Sequence, residues 1–487
     1  MLVCVPDFIV KTAPAEEKKS GLVYWMGEVL KEAGKAEAGF APDPVHDLRV
    51  ALRRCRSISE GFQAIDPDPA WKKMRKAGKD LFSSLGDLRD CQVMTEWITR
   101  LGAADDPVTQ RLLEYCRDQE QTLKVHAAEL LQGFDRKQWE SWARLLPRRA
   151  ARLRMENGPF QCLALERWAE AHKLHKTAIK TRSKLGLHRL RIGLKKFRYV
   201  VENFLPQQYQ LWGGGLKEIQ DLLGEVHDLD VLLATAIRIG AFPAPEDRQR
   251  WQQRIEEERK TRVEKYREKT LGKDSLWSLW RSGLPEGKEA EQAVYKKLRV
   301  WASHLDSDVQ HSQRVARLTL QLHDGLARVG VLEKNGANSR ALLKAAAIMH
   351  DVGRSAGSTD HHKATQRMVL RLGTPFGWKQ EDLDMAALIA RYHRGSLPRD
   401  QKRFLSLPPN LQRATKCLAG MLRLADALDR SHEGAVRRLK VTRAKPGEFV
   451  VVYAEGLDEE SPLAETIAGA RHLLESSCGI PIVVRAM

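Results

Sequence analysis

Several familiar protein classes need features that this sequence lacks. Its seven cysteines (Cys4, Cys55, Cys91, Cys116, Cys162, Cys417 and Cys478) are scattered and never form a CxxC pair, so neither a zinc finger nor a disulfide framework is indicated. No apolar run approaches the roughly 18 residues of a membrane span. The N-terminal MLVCVPDFIVK has no basic leader and is broken by Pro6 and Asp7, so no signal peptide is expected. Acidic residues are also in deficit. With 63 Asp+Glu against 81 Lys+Arg the formal charge is +18, which favours a polyanionic partner. These features predict a soluble, cytoplasmic protein with no membrane segment.

At 487 residues the chain exceeds one ordinary hydrophobic core, and two or three domains are expected. Residues 1–20 read as an extension. From Gly21 to Leu271 apolar residues recur at three- and four-residue spacing in text rich in Leu, Ala, Glu, Lys and Arg, which predicts helices almost throughout. Glycines, a proline and serines interrupt this pattern over 272–290, read as a linker. A second helical block covers 291–435. Beyond it LKVTRA and EFVVVYA, separated by Lys445-Pro446-Gly447, read as a hairpin; a helix from about Pro462 to Ser477 and a strand IPIVVRA complete a small ββαβ unit over 436–487. The expected fold is therefore mainly all-α with a small α+β tail.

Cationic charge is concentrated in the first half. Residues 141–200 hold 16 Lys+Arg against three acids, whereas from Val436 onward the two signs balance at seven each. The same half contains an internal repeat. HDLRVALRRCRSISEGF, starting at His46, matches HRLRIGLKKFRYVVENF, starting at His188, so that His46, Arg49, Arg53 and Arg56 correspond to His188, Arg191, Lys195 and Arg198. At about 100° per residue these positions fall in a stripe roughly 80° wide. Leu48, Leu52, Cys55 and Phe62, with Leu190, Leu194, Phe197 and Phe204, form an apolar stripe on another face. A second match, LGDLRDCQV from Leu85 against LGEVHDLDV from Leu223, follows each helix. A lone basic stripe is usually a solvated face. Two equivalent stripes packed together would crowd cations into one groove, which is unfavourable unless a polyanion fills it.

The two H-x-x-R-x-x-x-[RK]-[RK]-x-R helices and the two L-G-x-x-x-D-x-x-V segments resemble the CHAD family, the conserved histidine alpha-helical domains, across Gly21 to Leu271. The resemblance implies paired helical bundles whose basic channel binds inorganic polyphosphate. Its ligands would be His46, Arg49, Arg53, Arg54, Arg56, His188, Arg191, Lys195, Lys196 and Arg198. A second helix would add Lys72, Arg75 and Lys79, with Lys217 as the counterpart of Lys79 beside Gly213–Gly215. Polyphosphate offers only anionic oxygens, which Arg and Lys satisfy without aromatic stacking. Nucleic acid is disfavoured because the basic stripes lack interleaved aromatics.

Four His-Asp pairs occur, at His46-Asp47, His227-Asp228, His323-Asp324 and His350-Asp351. In the repeat Asp47 aligns with Arg189 and His227 with Arg89, while Asp228 aligns with Asp90 and reads as a helix cap or an arginine partner. His323-Asp324 has no companions. His350-Asp351 lies in an ordered series with His311, His361, His362, His393 and Asp426, a mixed nitrogen and oxygen set suited to Mn, Fe, Ni, Zn or Mg. The order H…HD…D resembles the HD phosphohydrolase superfamily. Through LLKAAAIMHDVGR, HHKATQRMVL, IARYHRG and LAGMLRLADALDRS, the region from Ala293 onward is most similar to the C-terminal part of the Ppx/GppA family. The resemblance implies metal ligands at His311, His350, Asp351 and Asp426, leaving His361, His362 and His393 for a second metal or the substrate phosphate. Arg354, Lys363 and Arg394 would neutralise phosphoryl oxygens, and the catalytic set is Asp351, Arg354, Lys363 and His393. The actin-like half of those proteins has no counterpart here, so hydrolysis of polyphosphate or a phosphorylated nucleotide would fall to the HD site. The competing expectation is a non-catalytic polyphosphate adaptor whose HD scaffold serves docking or homodimerisation.

Overall fold

A computed structural model describes residues 21–38, 42–153, 157–332, 338–357, 359–396, 401–444, 448–458 and 463–487. The N-terminal extension with Cys4 and the turn at 445–447 lie outside them. The described chain is mainly α-helical with a small C-terminal α+β unit, and it divides into two compact units. Of the described residues, the first comprises those within 21–63, 68–153 and 174–275; the second comprises those within 64–67, 157–173 and 276–487.

In the first unit the helices are α1 (Leu22–Glu37), α2 (Pro42–Gln63), α3 (Pro69–Ala77), α4 (Lys79–Leu101), α5 (Pro107–Gln132), α6 (Arg136–Arg152), the end of α7 (Asn157–Thr181), α8 (Lys184–Phe204), α9 (Pro206–Arg238) and α10 (Pro245–Thr270). Side-chain caps start several of them: Asp68 accepts from Ala70 N, Asp135 from Gln138 N and Ser183 from Gly186 N. The duplication is visible in the packing. Equivalent helices meet each other: α2 packs on α8, with Phe62 edge-on to its counterpart Phe204 at 5.3 Å, and α4 packs on α9. A core of Cys91, Trp97 and Ile98 with Leu229, Leu232 and Ala236 seals the second pair. Such pairing of like with like is what a pseudo-twofold arrangement requires. The triple glycine Gly213–Gly215 does not interrupt α9, which spans 33 residues.

The second unit begins with the first part of α7 and continues through α11 (Leu276–Ser282), α12 (Gly287–Ser303), α13 (Val309–Arg328), α14 (Ser339–Met349), a 3-10 turn (Val352–Ala356), α15 (His361–Arg371), α16 (Gln380–Arg391), α17 (Lys402–Leu405) and α18 (Pro409–Leu428). The stretch read as a linker thus contains α11, whose Trp277 and Trp280 are buried. The tail follows the expected order β1 (Arg438–Ala444), β2 (Phe449–Glu455), α19 (Leu463–Cys478), β3 (Ile482–Ala486). Strand β2 is central, antiparallel to β1 and parallel to β3. Leu439 and Val441 of β1 and Val450, Val452 and Ala454 of β2 alternate inward and join one core with α13, α18 and α19. No helix among the described residues is long and apolar enough to cross a membrane.

Candidate functional site

The two basic helices bring their cations together. Burial, followed by the charges of Arg191, Arg53 and Arg49, pushes the Lys195 ammonium down to about 8; Arg49 is likewise lowered by burial and then by Arg53. Cations of α2 therefore act directly on those of α8, which is the crowding expected from the repeat. A cavity of about 280 Å³ is lined by Arg191, Lys195, Gln220, Asp221, Gly224, Glu225 and Asp228, and a second recess shares Asp221 and Glu225 with it and adds Lys217.

Acidic side chains in this wall were not singled out in the sequence, except Asp228. That residue lies inside α9 and caps nothing; burial raises it to about 6, against Arg191 and with help from Asp90. It interacts with Arg191 through charge. Asp221 and Glu225 precede it at helical spacing, a pattern that was available in the sequence.

Other predicted channel residues are placed differently. Arg54 points about 100° away from Arg53, forms an ion pair with Glu202 at 2.5 Å and lies over Trp25. Arg56 donates to the Arg75 carbonyl at 3.0 Å and covers Phe82, while Arg75 bonds Gln63. These three arginines are engaged in packing rather than left open to a ligand. Lys72, Lys79 and His46 are exposed; His188, Lys196 and Arg198 are half-buried, with the His188 ring tilted against that of His227 at 4.8 Å.

In the second unit the ligand series converges. His311 sits in the first turn of α13, where its N–H donates to the cap Asp308; His350 and Asp351 end α14; His393 lies just past α16; Asp426 is near the end of α18. All five are buried. Ligand atoms of His311, His350 and Asp426 lie within 4.8 Å of one another, as do those of His350, Asp351 and His393. His361 joins the second group, its Nε2 3.2 Å from Asp351 Oδ1 and 3.3 Å from His393 Nε2.

Local backbone sets the orientation of these rings. His350 Nδ1 donates to the Ala347 carbonyl at 2.7 Å and His393 Nδ1 to the Ala390 carbonyl at 2.6 Å, so both direct Nε2 to the centre. The 3-10 turn after Asp351 is pinned by Thr365, whose hydroxyl donates to the His350 carbonyl and accepts from Gly353 N. A Cβ at Gly353 would collide with the His361 carbonyl.

Electrostatics keep the carboxylates ionised. Burial alone would raise Asp351, but His350, His361, His393 and Arg354 hold it far below the usual carboxylate range, and His311 and His350 do the same for Asp426. Burial would lower His311, yet hydrogen bonds to Asp426 and Asp429 raise it to about 9. His393 is pushed by burial, and then by the charge of His350, to about 3, so its imidazole is neutral.

Two buried polar atoms decide whether this group suits a cation. His350 Nε2 and Asp351 Oδ1 are shielded from solvent, and their nearest polar neighbours, Asp426 Oδ1 at 3.6 Å from the first and His361 Nε2 at 3.2 Å from the second, form no well-aligned hydrogen bond with them, a costly arrangement that a divalent ion would relieve. The residues present therefore fit a metal.

At the edge of the cluster Arg354 Nε is 2.5 Å from Asp351 and Arg394 Nε is 3.4 Å from Asp426, both arginines partly exposed. Lys363 and His362 are not brought into it: Lys363 is exposed and paired with Asp360, and His362 is half-buried outside both groups. His323-Asp324 is a peripheral pair clamped by Arg340.

A supporting layer escaped the sequence reading. Asp429 accepts from His311 Nδ1 at 2.8 Å and from Arg314, while His432, at φ 62°, stacks on His311 at 3.8 Å and donates to Asp308. Both residues lie in LDRSHEG, just beyond the last predicted ligand.

Comparison with known proteins agrees with this division of the chain. No curated protein matches it. Residues 26–236 match the CHAD domain family, and residues 297–466 match Ppx/GppA phosphatase, domain III. The chain carries a CHAD domain followed by a Ppx/GppA phosphatase domain III, and with them a polyphosphate-related role.

Proposed function

We propose that the first unit binds inorganic polyphosphate through the clustered cations of α2 and α8, and that the second is a metal-dependent phosphohydrolase acting on polyphosphate or a phosphorylated nucleotide in the cytoplasm. The observation that carries the second part is the convergence of two buried His/Asp groups on His350, where His350 Nε2 and Asp351 Oδ1 are shielded from solvent and lack a well-aligned hydrogen bond. A vestigial scaffold would have no reason to retain that cost.

His311, His350, Asp351 and Asp426 would hold the ion, with His393 and His361 on the Asp351 side. When bound, a divalent cation there supplies Lewis acidity for water and for phosphoryl oxygen. The chain does the remaining work. Asp429 and the Ala347 and Ala390 carbonyls fix the imidazole tautomers, and neutral His393 offers a lone pair rather than a proton. Arg354 and Arg394, partly exposed beside the carboxylates, are placed to take up charge on a phosphate. In the first unit Arg49, Arg53, Arg191 and Lys195 provide the anion contacts.

The decisive test measures phosphate release from polyphosphate, guanosine tetra- and pentaphosphate and cyclic nucleotides with Mn, Mg, Ni or Fe supplied. Activity should vanish in His350→Ala and Asp351→Ala; activity that survives both refutes the mechanism. Polyphosphate binding that is insensitive to Arg49→Ala with Arg191→Ala refutes the channel.

A further inference from the structure

The geometry points to a peroxide-sensitive dithiol formed by Cys417 and Cys478 in the second unit, a modification site independent of the function proposed above. The two residues are 61 apart in sequence, yet their sulfurs lie 3.4 Å from each other. Helix packing causes this proximity. Gly420 of α18 faces Leu474 of α19 so closely that a Cβ at Gly420 would stand 2.7 Å from the Leu474 Cα. Cys417 lies one turn before that crossing and Cys478 one turn after it, so the antiparallel helices present the thiols to each other.

The pair is asymmetric in the way thiol oxidation requires. Cys417 is buried, whereas Cys478, the last residue of α19, is partly open to solvent. The hydrogen bond the two sulfurs share lowers the Cys478 pKa and raises that of Cys417, so Cys478, which is also the more exposed, is the more readily ionised of the two. The Cys478 thiol gives its proton to solvent and the thiolate attacks a peroxide oxygen; the O–O bond breaks and hydroxide leaves, regaining that proton as water, which gives a sulfenic acid. The Cys417 sulfur then attacks that sulfur, the S–O bond breaks and a second water leaves with the disulfide formed. Two thiols are thereby oxidised and one hydrogen peroxide is reduced to two waters. The closed loop contains Asp426, Asp429 and His432, so oxidation fastens the carrier of these groups to the C-terminal tail.

Peptide mapping of the full-length protein after hydrogen peroxide, with free thiols blocked under denaturing conditions, tests the assignment. The expected result is a Cys417–Cys478 disulfide that dithiothreitol reverses and that Cys478→Ser abolishes. The thermal midpoint of the oxidised wild type should rise by several degrees, while that of Cys478→Ser stays unshifted. Recovery of both residues as blocked free thiols, or of Cys478 as a sulfinic acid without a bridge, overturns it. The wild-type map needs no variant, and Cys417→Ala replaces Cys478→Ser should that protein fail to fold.

Discussion

Single groups in both units have properties set by their neighbours. Lys195 shows the sign clearly. Among the neighbouring cations its pKa is about 8, below the ordinary 10.5, so between those values the unfolded chain holds more protons and stability rises with pH. Polyphosphate binding needs the charged form and should run the other way: affinity is flat below pH 8, weakens above it by at most about tenfold per unit, and binding near pH 8 takes up a proton. Calorimetry in buffers of different ionisation enthalpy reads that proton directly. In the second unit, Asp429 fixes the imidazole of His311. Asp429→Asn should weaken divalent-metal binding about 10–100-fold in chelator competition; affinity equal to wild type would remove Asp429 from the site. The first-rank ligands were legible because the HD pair and the Asp426 of LRLAD stand out in the text. Asp429, Asp308 and His432 were not, since their meeting depends on how the chain turns after α18.

Elements were easier to read than their exceptions. Helical periodicity and caps announced the long helices, and the β-branched runs announced the three strands in the right order. The short helix α11 hid in glycine- and serine-rich text because seven residues carry too little periodicity, although Trp277 and Trp280 were visible as large apolar side chains. Gly213–Gly215, where the second repeat offers only Lys217 against the cations of the first, are ordinary helix, because α9 packs against α4, α8 and α10. The glycine that does carry a constraint is Gly353, where the turn bearing Asp351 meets the backbone of α15. Gly353→Ala should cost about 3 kcal/mol in thermal or denaturant unfolding. A neutral result would show that the turn can yield.

Across the whole molecule, the excess of 18 positive charges makes any polyanion affinity a function of ionic strength. The logarithm of the polyphosphate association constant should fall linearly with the logarithm of salt concentration, and Arg49→Ala with Arg191→Ala should flatten the slope by about one to two, since each lost phosphate contact removes slightly less than one released ion. Filter binding from low to moderate salt measures it.

The sequence placed the change of domain near residue 272, where the composition changes. The units are interleaved instead: residues 157–173, the first part of α7, belong to the second unit, where Cys162 enters its core and Glu166 pairs with Lys297 at 2.5 Å. Composition gave no sign of it, because a helix contributing to two cores reads like any other. That arrangement bears on inheritance. A crossover within the coding sequence at residues 272–290 would deliver the second unit without the first part of α7 and the Cys162 side chain of its core.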